Sequence, residues 1–107
     1  MEDNIVTQMR KGIMEYCFLL ILSKRRVYPS EIINLLKGSN LVVKEATVYT
    51  VLSRLNKEGK ITYQWEESTM GPPRKYFQIT DDGMAALATI EKVWGDINAT
   101  ITKLKEE

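Results

Sequence analysis

Thr47, Thr50 and Ser53 recur at intervals of three beside Tyr49, Arg54 and Lys57, and further along the chain Arg74-Lys75 follows Gly71-Pro72-Pro73. Hydroxyls at that interval share one face of a helix. There they can donate to, or accept from, the edges of bases in a groove. Phenol, guanidinium and ammonium groups beside them suit phosphate oxygens, which fix register without reporting sequence. This is recognition chemistry, not bond-breaking chemistry. The chain has no histidine and a single cysteine. It also lacks a nucleophile elbow, a glycine-rich phosphate loop and carboxylates at metal-ligand spacing. Neither an enzyme nor a cofactor or metal is expected.

The elements that must position these residues follow from the apolar pattern. Val48, Val51, Leu52 and Leu55 form a narrow stripe on a helix that begins near Lys44 and stops at Gly59, which sends the hydroxyls and cations outward. Ile61, Tyr63 and Trp65 alternate with polar residues as a half-buried strand does, and Phe77 and Ile79 do the same in a second strand. Glu67 to Pro73 is too long for a two-residue turn and protrudes as a loop, with Arg74 and Lys75 beside it. Pro72 and Pro73 stiffen that loop and discourage edge pairing.

Upstream, a first helix is expected from about Val6 to Ser23, with Ile13, Tyr16, Cys17 and Leu20 on its buried face. Met9, Met14, Phe18, Leu19, Ile21 and Leu22 widen that face, so the helix needs two partners. A second helix starts at Pro29, buries Ile32, Ile33, Leu35 and Leu36, and ends near Gly38-Ser39-Asn40, before a short Leu41-Val42-Val43 segment. After Thr80, a cap, a last helix runs from Asp81 to about Lys105. Along it Leu87, Ile90, Trp94, Ile97, Ile101 and Leu104 alternate in spacings of three and four, an a/d seam that suits another chain better than a globular core.

The fold class is therefore α+β, mostly α: a winged helix-turn-helix with a C-terminal dimerisation helix. Residues 1–80 form the first part and 81–107 the second, in one compact unit. The net charge of +1 conceals an asymmetry, because residues 1–80 carry 12 cations against 8 anions and residues 81–107 carry 3 against 6. The basic part is the part with the recognition residues. Cys17 excludes an internal disulfide and suits a reducing compartment. The apolar run Tyr16 to Leu22 falls short of the about 20 residues that span a bilayer. Met1-Glu2-Asp3-Asn4 does not read as a secretory leader. A cytoplasmic protein with no membrane partner is expected.

The blocks Glu45-Ala46-Thr47-Val48-Tyr49-Thr50 with Arg54-Leu55 and Gly59, and Pro73-Arg74-Lys75-Tyr76-Phe77 with Ile79-Thr80 and Gly83, resemble the PadR family of bacterial transcriptional regulators, in particular its short-chain, multidrug-binding branch. The resemblance covers nearly the whole chain. It implies a homodimeric repressor on a two-fold symmetric operator, with one helix per subunit in the major groove and the last helix crossing to the partner. Trp94 falls where drug-binding members carry a tryptophan that stacks on flat aromatic compounds between subunits, and Met9, Ile13 and Tyr16 are candidates for the opposite wall of such a site. Many relatives have a Tyr-Gly-Tyr type sequence where this chain has Tyr28-Pro29-Ser30, so a contact by the second aromatic is not expected here.

Two other functions fit the same residues: a winged-helix protein-interaction module that does not bind DNA, and a protein whose main role is to sense hydrophobic or aromatic small molecules. For Trp94, interface packing competes with ligand stacking.

Overall fold

The computed structural model describes residues 2–39, 41 and 44–107, with the backbone alone for Glu2 and Asp3. Its elements are α1 (Glu2–Lys24), α2 (Pro29–Leu36), α3 (Glu45–Lys57), β1 (Ile61–Glu66), β2 (Arg74–Ile79) and α4 (Asp81–Lys105). This is the winged-helix order expected from the sequence. Asn40 and the Val42-Val43 part of the segment after α2 lie outside the described residues.

Phe18, Leu19 and Leu22 of α1 are buried with Ile32, Leu36, Val48, Leu52, Leu55, Ile61 and Phe77. Each such side chain stabilises the fold by about 1.5–3 kcal/mol relative to exposure. The face expected to be deepest, Ile13, Tyr16, Cys17 and Leu20, is only half-buried. Helix α1 is apolar on two sides: the side of Phe18 and Leu19 enters the common core, while Tyr16 is turned toward α4. Leu35, expected inside α2, is 52% exposed, because the eight-residue helix presents only the Ile32–Leu36 edge to the core.

Strands β1 and β2 pair antiparallel, with Ile61 opposite Ile79 at the inner end and Glu66 opposite Arg74 at the outer end. A single residue between α1 and α2 adds to this sheet. Val27 N–H donates to the Phe77 carbonyl at 3.0 Å and Phe77 N–H returns to Val27 at 2.8 Å. A one-residue bridge leaves no periodic signal, so sequence reading did not find it. Trp65 departs from the expected alternation, being 60% exposed near the outer end of the hairpin, where the core no longer reaches.

Helix α3 ends in a Schellman motif: Lys60 N–H reaches the Leu55 carbonyl and Gly59 N–H the Asn56 carbonyl, both at 3.0 Å, with Gly59 at φ 78°. That left-handed conformation is what glycine permits. Thr80 then caps α4, accepting from Gly83 N–H at 3.0 Å while its hydroxyl donates to the Gly59 carbonyl at 2.6 Å. Gly83 is required for a different reason. A Cβ there would lie 2.0 Å from the Lys60 carbonyl oxygen and 2.6 Å from the Ile79 side chain.

Replacing Gly83 by alanine is expected to push α4 off its seat and to cost about 1–3 kcal/mol, read as a lower melting temperature. Gly95→Ala, on a part of the same helix with nothing within 4 Å, should be neutral or stabilise by up to about 1 kcal/mol in the same melt.

Candidate nucleic-acid interface

Because Val48, Val51, Leu52 and Leu55 are buried, the expected recognition residues Thr47, Tyr49, Thr50, Ser53, Arg54 and Lys57 are all exposed on α3. They do not form one uniform face. Tyr49, Thr50, Ser53, Arg54, Lys57 and Glu58 line a shallow outer surface. Thr47 and Arg54 also border a groove against α1, whereas Tyr49 and Ser53 border a groove against the hairpin. The Thr50 hydroxyl donates to the Ala46 carbonyl at 2.9 Å. Its proton is therefore engaged in the isolated chain and its lone pairs remain available.

The hairpin groove is where the two halves of the expected interface meet. It has a volume of about 640 Å³ and is bounded by Tyr28 and Ser30 at the start of α2, by Tyr49, Ser53 and Asn56 of α3, and by Tyr63, Trp65, Arg74 and Lys75 of the wing. Arg74 and Lys75 do not sway freely. The Arg74 guanidinium carbon stands 3.8 Å from the centre of the Tyr28 ring, and Lys75 Nζ is 4.2 Å from that of Tyr63 and 5.1 Å from that of Trp65. A cation over an aromatic face is attracted by about 0.5–1 kcal/mol at an exposed site, and it keeps its charge. Tyr28 is itself anchored, its hydroxyl donating to Glu66 and its backbone N–H to Glu31 Oε1 at 3.0 Å. The Glu66 carboxylate holds the Tyr28 hydroxyl above its ordinary pKa, so the ring stays neutral. Arg26 lies 4.9 Å over the Tyr76 ring, whose hydroxyl donates to Gln64 at 2.6 Å.

Sequence reading missed Tyr28, Trp65, Arg26 and Asn56 as members of this surface. For Trp65 the signal was present, since it shares strand parity with Tyr63 and lies one rung from Arg74. Tyr28 and Arg26 come from the turn after α1, where the Val27 bridge between them joins the sheet.

Arg54 is paired. Its Nη1 is 2.9 Å from Glu15 Oε1 on α1 and 3.7 Å from Glu58, while Lys60 Nζ lies 2.9 Å from the second Glu15 oxygen and 3.0 Å from Glu58. Burial alone would push the Glu15 carboxyl up; the Lys60 ammonium and the Arg54 guanidinium outweigh it and hold the group below the usual carboxylate range.

A second surface lies at the other side of α1. Met9, Ile13 and Tyr16 face Ile90, Trp94, Ile97 and Ile101 of α4 across a mostly apolar groove of about 520 Å³. Tyr16 and Trp94 are in ring contact, with centroids 6.0 Å apart and planes inclined at 59°. All the residues expected for a stacking site are thus together in one chain. Trp94, Ile97, Ile101 and Leu104 remain 39–62% exposed along α4. Leu87 does not belong with them: it is 5% exposed, and Ile90 is half-buried, because the first turns of α4 lie on the subunit's own core. Of the stripe read from spacing, Leu87 is covered by the chain's own core and Ile90 packs against it. Among the described residues no group of His, Cys, Asp or Glu is arranged to hold a metal ion, and no helix is long and apolar enough to cross a membrane.

The Glu15 cluster gives a pH signature. A carboxyl whose folded pKa is lowered contributes stability above its unfolded value, about 4.3 for glutamate, and loses it as pH falls through the folded value. Glu15→Gln should melt below wild type at neutral pH, by about 1–2 kcal/mol after allowance for the half-exposed Arg54. The gap should close as wild type is taken below about pH 4, which thermal denaturation of both proteins across pH will read.

Residues 18–89 match the Transcriptional regulator PadR-like family. An uncharacterised protein of Lysinibacillus sphaericus is 36% identical over 99 residues, 90% of this chain and 91% of that protein. Among solved structures, a PadR-like transcription factor of Bacteroides fragilis superposes with a TM-score of 0.82 at 44% identity, over 94% of this chain and 98% of its own. A PadR-like regulator of Bacillus cereus gives 0.81 at 37% identity, over the same shares. Bacillus subtilis PadR, solved in complex with operator DNA, gives 0.67 at 25% identity over 72% of this chain and 45% of its own. With the family's model matched over residues 18–89 and its fold shared with these solved relatives, the chain belongs to the PadR-like family of transcriptional regulators.

Proposed function

We propose that this regulator is a repressor that works in the cytoplasm as a homodimer on a two-fold symmetric operator. The observation that carries the reading is the single groove shared by the outward face of α3 and the aromatic-held cations of the wing. Thr47, Thr50 and Ser53 read base edges in the major groove. Tyr49, Arg54 and Lys57 meet phosphates, and Arg74 and Lys75 follow the backbone beyond. A Bacillus subtilis relative was solved in complex with operator DNA, which supports DNA as the partner. Trp94, Ile97, Ile101 and Leu104, apolar and exposed on a helix of 25 residues, favour a second copy of the chain as their cover. A dimer sets two recognition helices about 34 Å apart, one turn of DNA. The groove between α1 and α4 then takes a flat aromatic or hydrophobic effector beside Trp94, which releases DNA by the difference in its affinity for two dimer geometries.

Binding of the purified protein to DNA from upstream of its own gene, followed across about 50 to 200 mM salt, is expected to weaken steeply, as several phosphate contacts require. An Arg74→Glu, Lys75→Glu variant should lose at least about tenfold in affinity. Ile97→Asp, Ile101→Asp should sediment as a monomer and bind poorly. A folded dimer that shows no specific, salt-dependent binding favours the protein-interaction module instead. The effector is tested in a Trp65→Phe background, where planar hydrophobic cations should quench Trp94 fluorescence saturably and lower operator affinity. If quenching occurs with operator affinity unchanged, the effector arm of the reading is wrong.

A further inference from the structure

Glu15 lies between α1 and α3 with only 16% of its side chain exposed, and it divides its two oxygens between Arg54 and Lys60, each at 2.9 Å. Of these partners Arg54 alone sits on the outer surface of the recognition helix, beside Thr50, Ser53 and Lys57. Its side chain is 47% exposed. A guanidinium carries five N–H donors in a rigid fork. Glu15 and Glu58 take up Nη1, and the remaining donors are left for a further anion.

The sign of the effect depends on Lys60. Two carboxylates beside one arginine would repel an approaching phosphate, but Lys60 Nζ binds both Glu15 and Glu58, so the four side chains carry two negative and two positive charges. Within this neutral cluster Arg54 is fixed before it meets DNA. An unrestrained arginine must surrender its rotamer freedom at the moment of binding, whereas one fixed by folding has already done so.

We propose that Glu15 is a positioning residue for operator binding, holding the Arg54 guanidinium against the α1 side of the recognition helix so that its free donors meet a DNA phosphate. The inference rests on the DNA-binding reading above and adds to it a residue that never touches DNA. A carboxylate close to DNA that acted only by its charge would weaken binding, so the two roles predict opposite signs.

The test measures operator affinity and its salt dependence for wild type, Glu15→Ala, Arg54→Gln and the double variant, with dimer state and melting temperature recorded for each. Glu15→Ala is expected to bind several-fold more weakly with an unchanged salt slope, because the Arg54 charge is still present. Arg54→Gln should reduce the slope by about 0.9, the signature of one lost phosphate contact. In the Arg54→Gln background the Glu15 substitution should have little further effect. If Glu15→Ala is unfolded at the assay temperature, Glu15→Gln, which keeps an acceptor, carries the test and should show the same sign with a smaller loss. Tighter or unchanged binding by the Glu15 variants overturns the inference, as does an equal loss with and without Arg54. Failure of wild type to bind any duplex specifically overturns the DNA-binding reading itself, and is distinguished by needing no variant to appear.

Discussion

Gly59 and Lys60 form the junction on which the rest of the structure depends. The left-handed Gly59 turns the chain out of α3, and its carbonyl accepts from the Thr80 hydroxyl. The Lys60 N–H closes the end of α3 on Leu55, and the Lys60 carbonyl accepts from Thr80 N–H at 3.0 Å. The same carbonyl is the surface against which Gly83 fits without a side chain, and the Lys60 ammonium reaches back to α1 through Glu15. Helix α3, the wing and α4 are thereby tied within a few residues, by two backbone hydrogen bonds together with the Thr80 hydroxyl and the Lys60 ammonium. A rotation of α4 must be transmitted through this joint to α3, or must break it.

Charge is distributed around that joint in a way composition alone does not reveal. Residues 1–80 carry an excess of four cations, yet Arg54 and Lys60 are matched by Glu15 and Glu58, and Arg25 approaches Glu31 at 3.9 Å. Arg74, Lys75 and Arg26 are held by aromatic rings, which orient a cation without neutralising it. The aromatic-held cations of the wing thus keep their charge for a polyanion, whereas Arg54 is shared with carboxylates.

The helices, the hairpin and the outward turn of Thr47, Thr50, Ser53 and Lys57 were legible because they follow from period and from single punctuating residues such as Pro29, Gly59 and Thr80. Trp94, Ile97, Ile101 and Leu104 were legible as an apolar stripe, and they stand exposed along α4. Leu87 was misassigned because a spacing of three and four cannot tell which end of a long helix still has its own core beneath it. Arg54 read as a free cation, since its partner Glu15 lies 39 residues earlier and sequence separation hides such pairs. The aromatic seat of Arg74 was hidden likewise: Tyr28 comes to the wing beside the Val27 bridge, and a one-residue bridge has no period.

Helix α1 carries Glu15, the hidden partner of Arg54, and it has a double role. Phe18, Leu19 and Leu22 root it in the core, so it cannot move independently of α3 without opening a cavity, at about 2–5 kcal/mol for each large side chain unseated. On another side Tyr16 rests on Trp94, and the preceding residue, Glu15, grips Arg54 and Lys60. Adjacent residues on a rigid helix displace together. A ligand or partner that shifts Trp94 against Tyr16 therefore acts at one residue's remove from the cluster that orients Arg54. Helix α1 thus connects the apolar groove beside Trp94 to the Arg54 cluster within one chain.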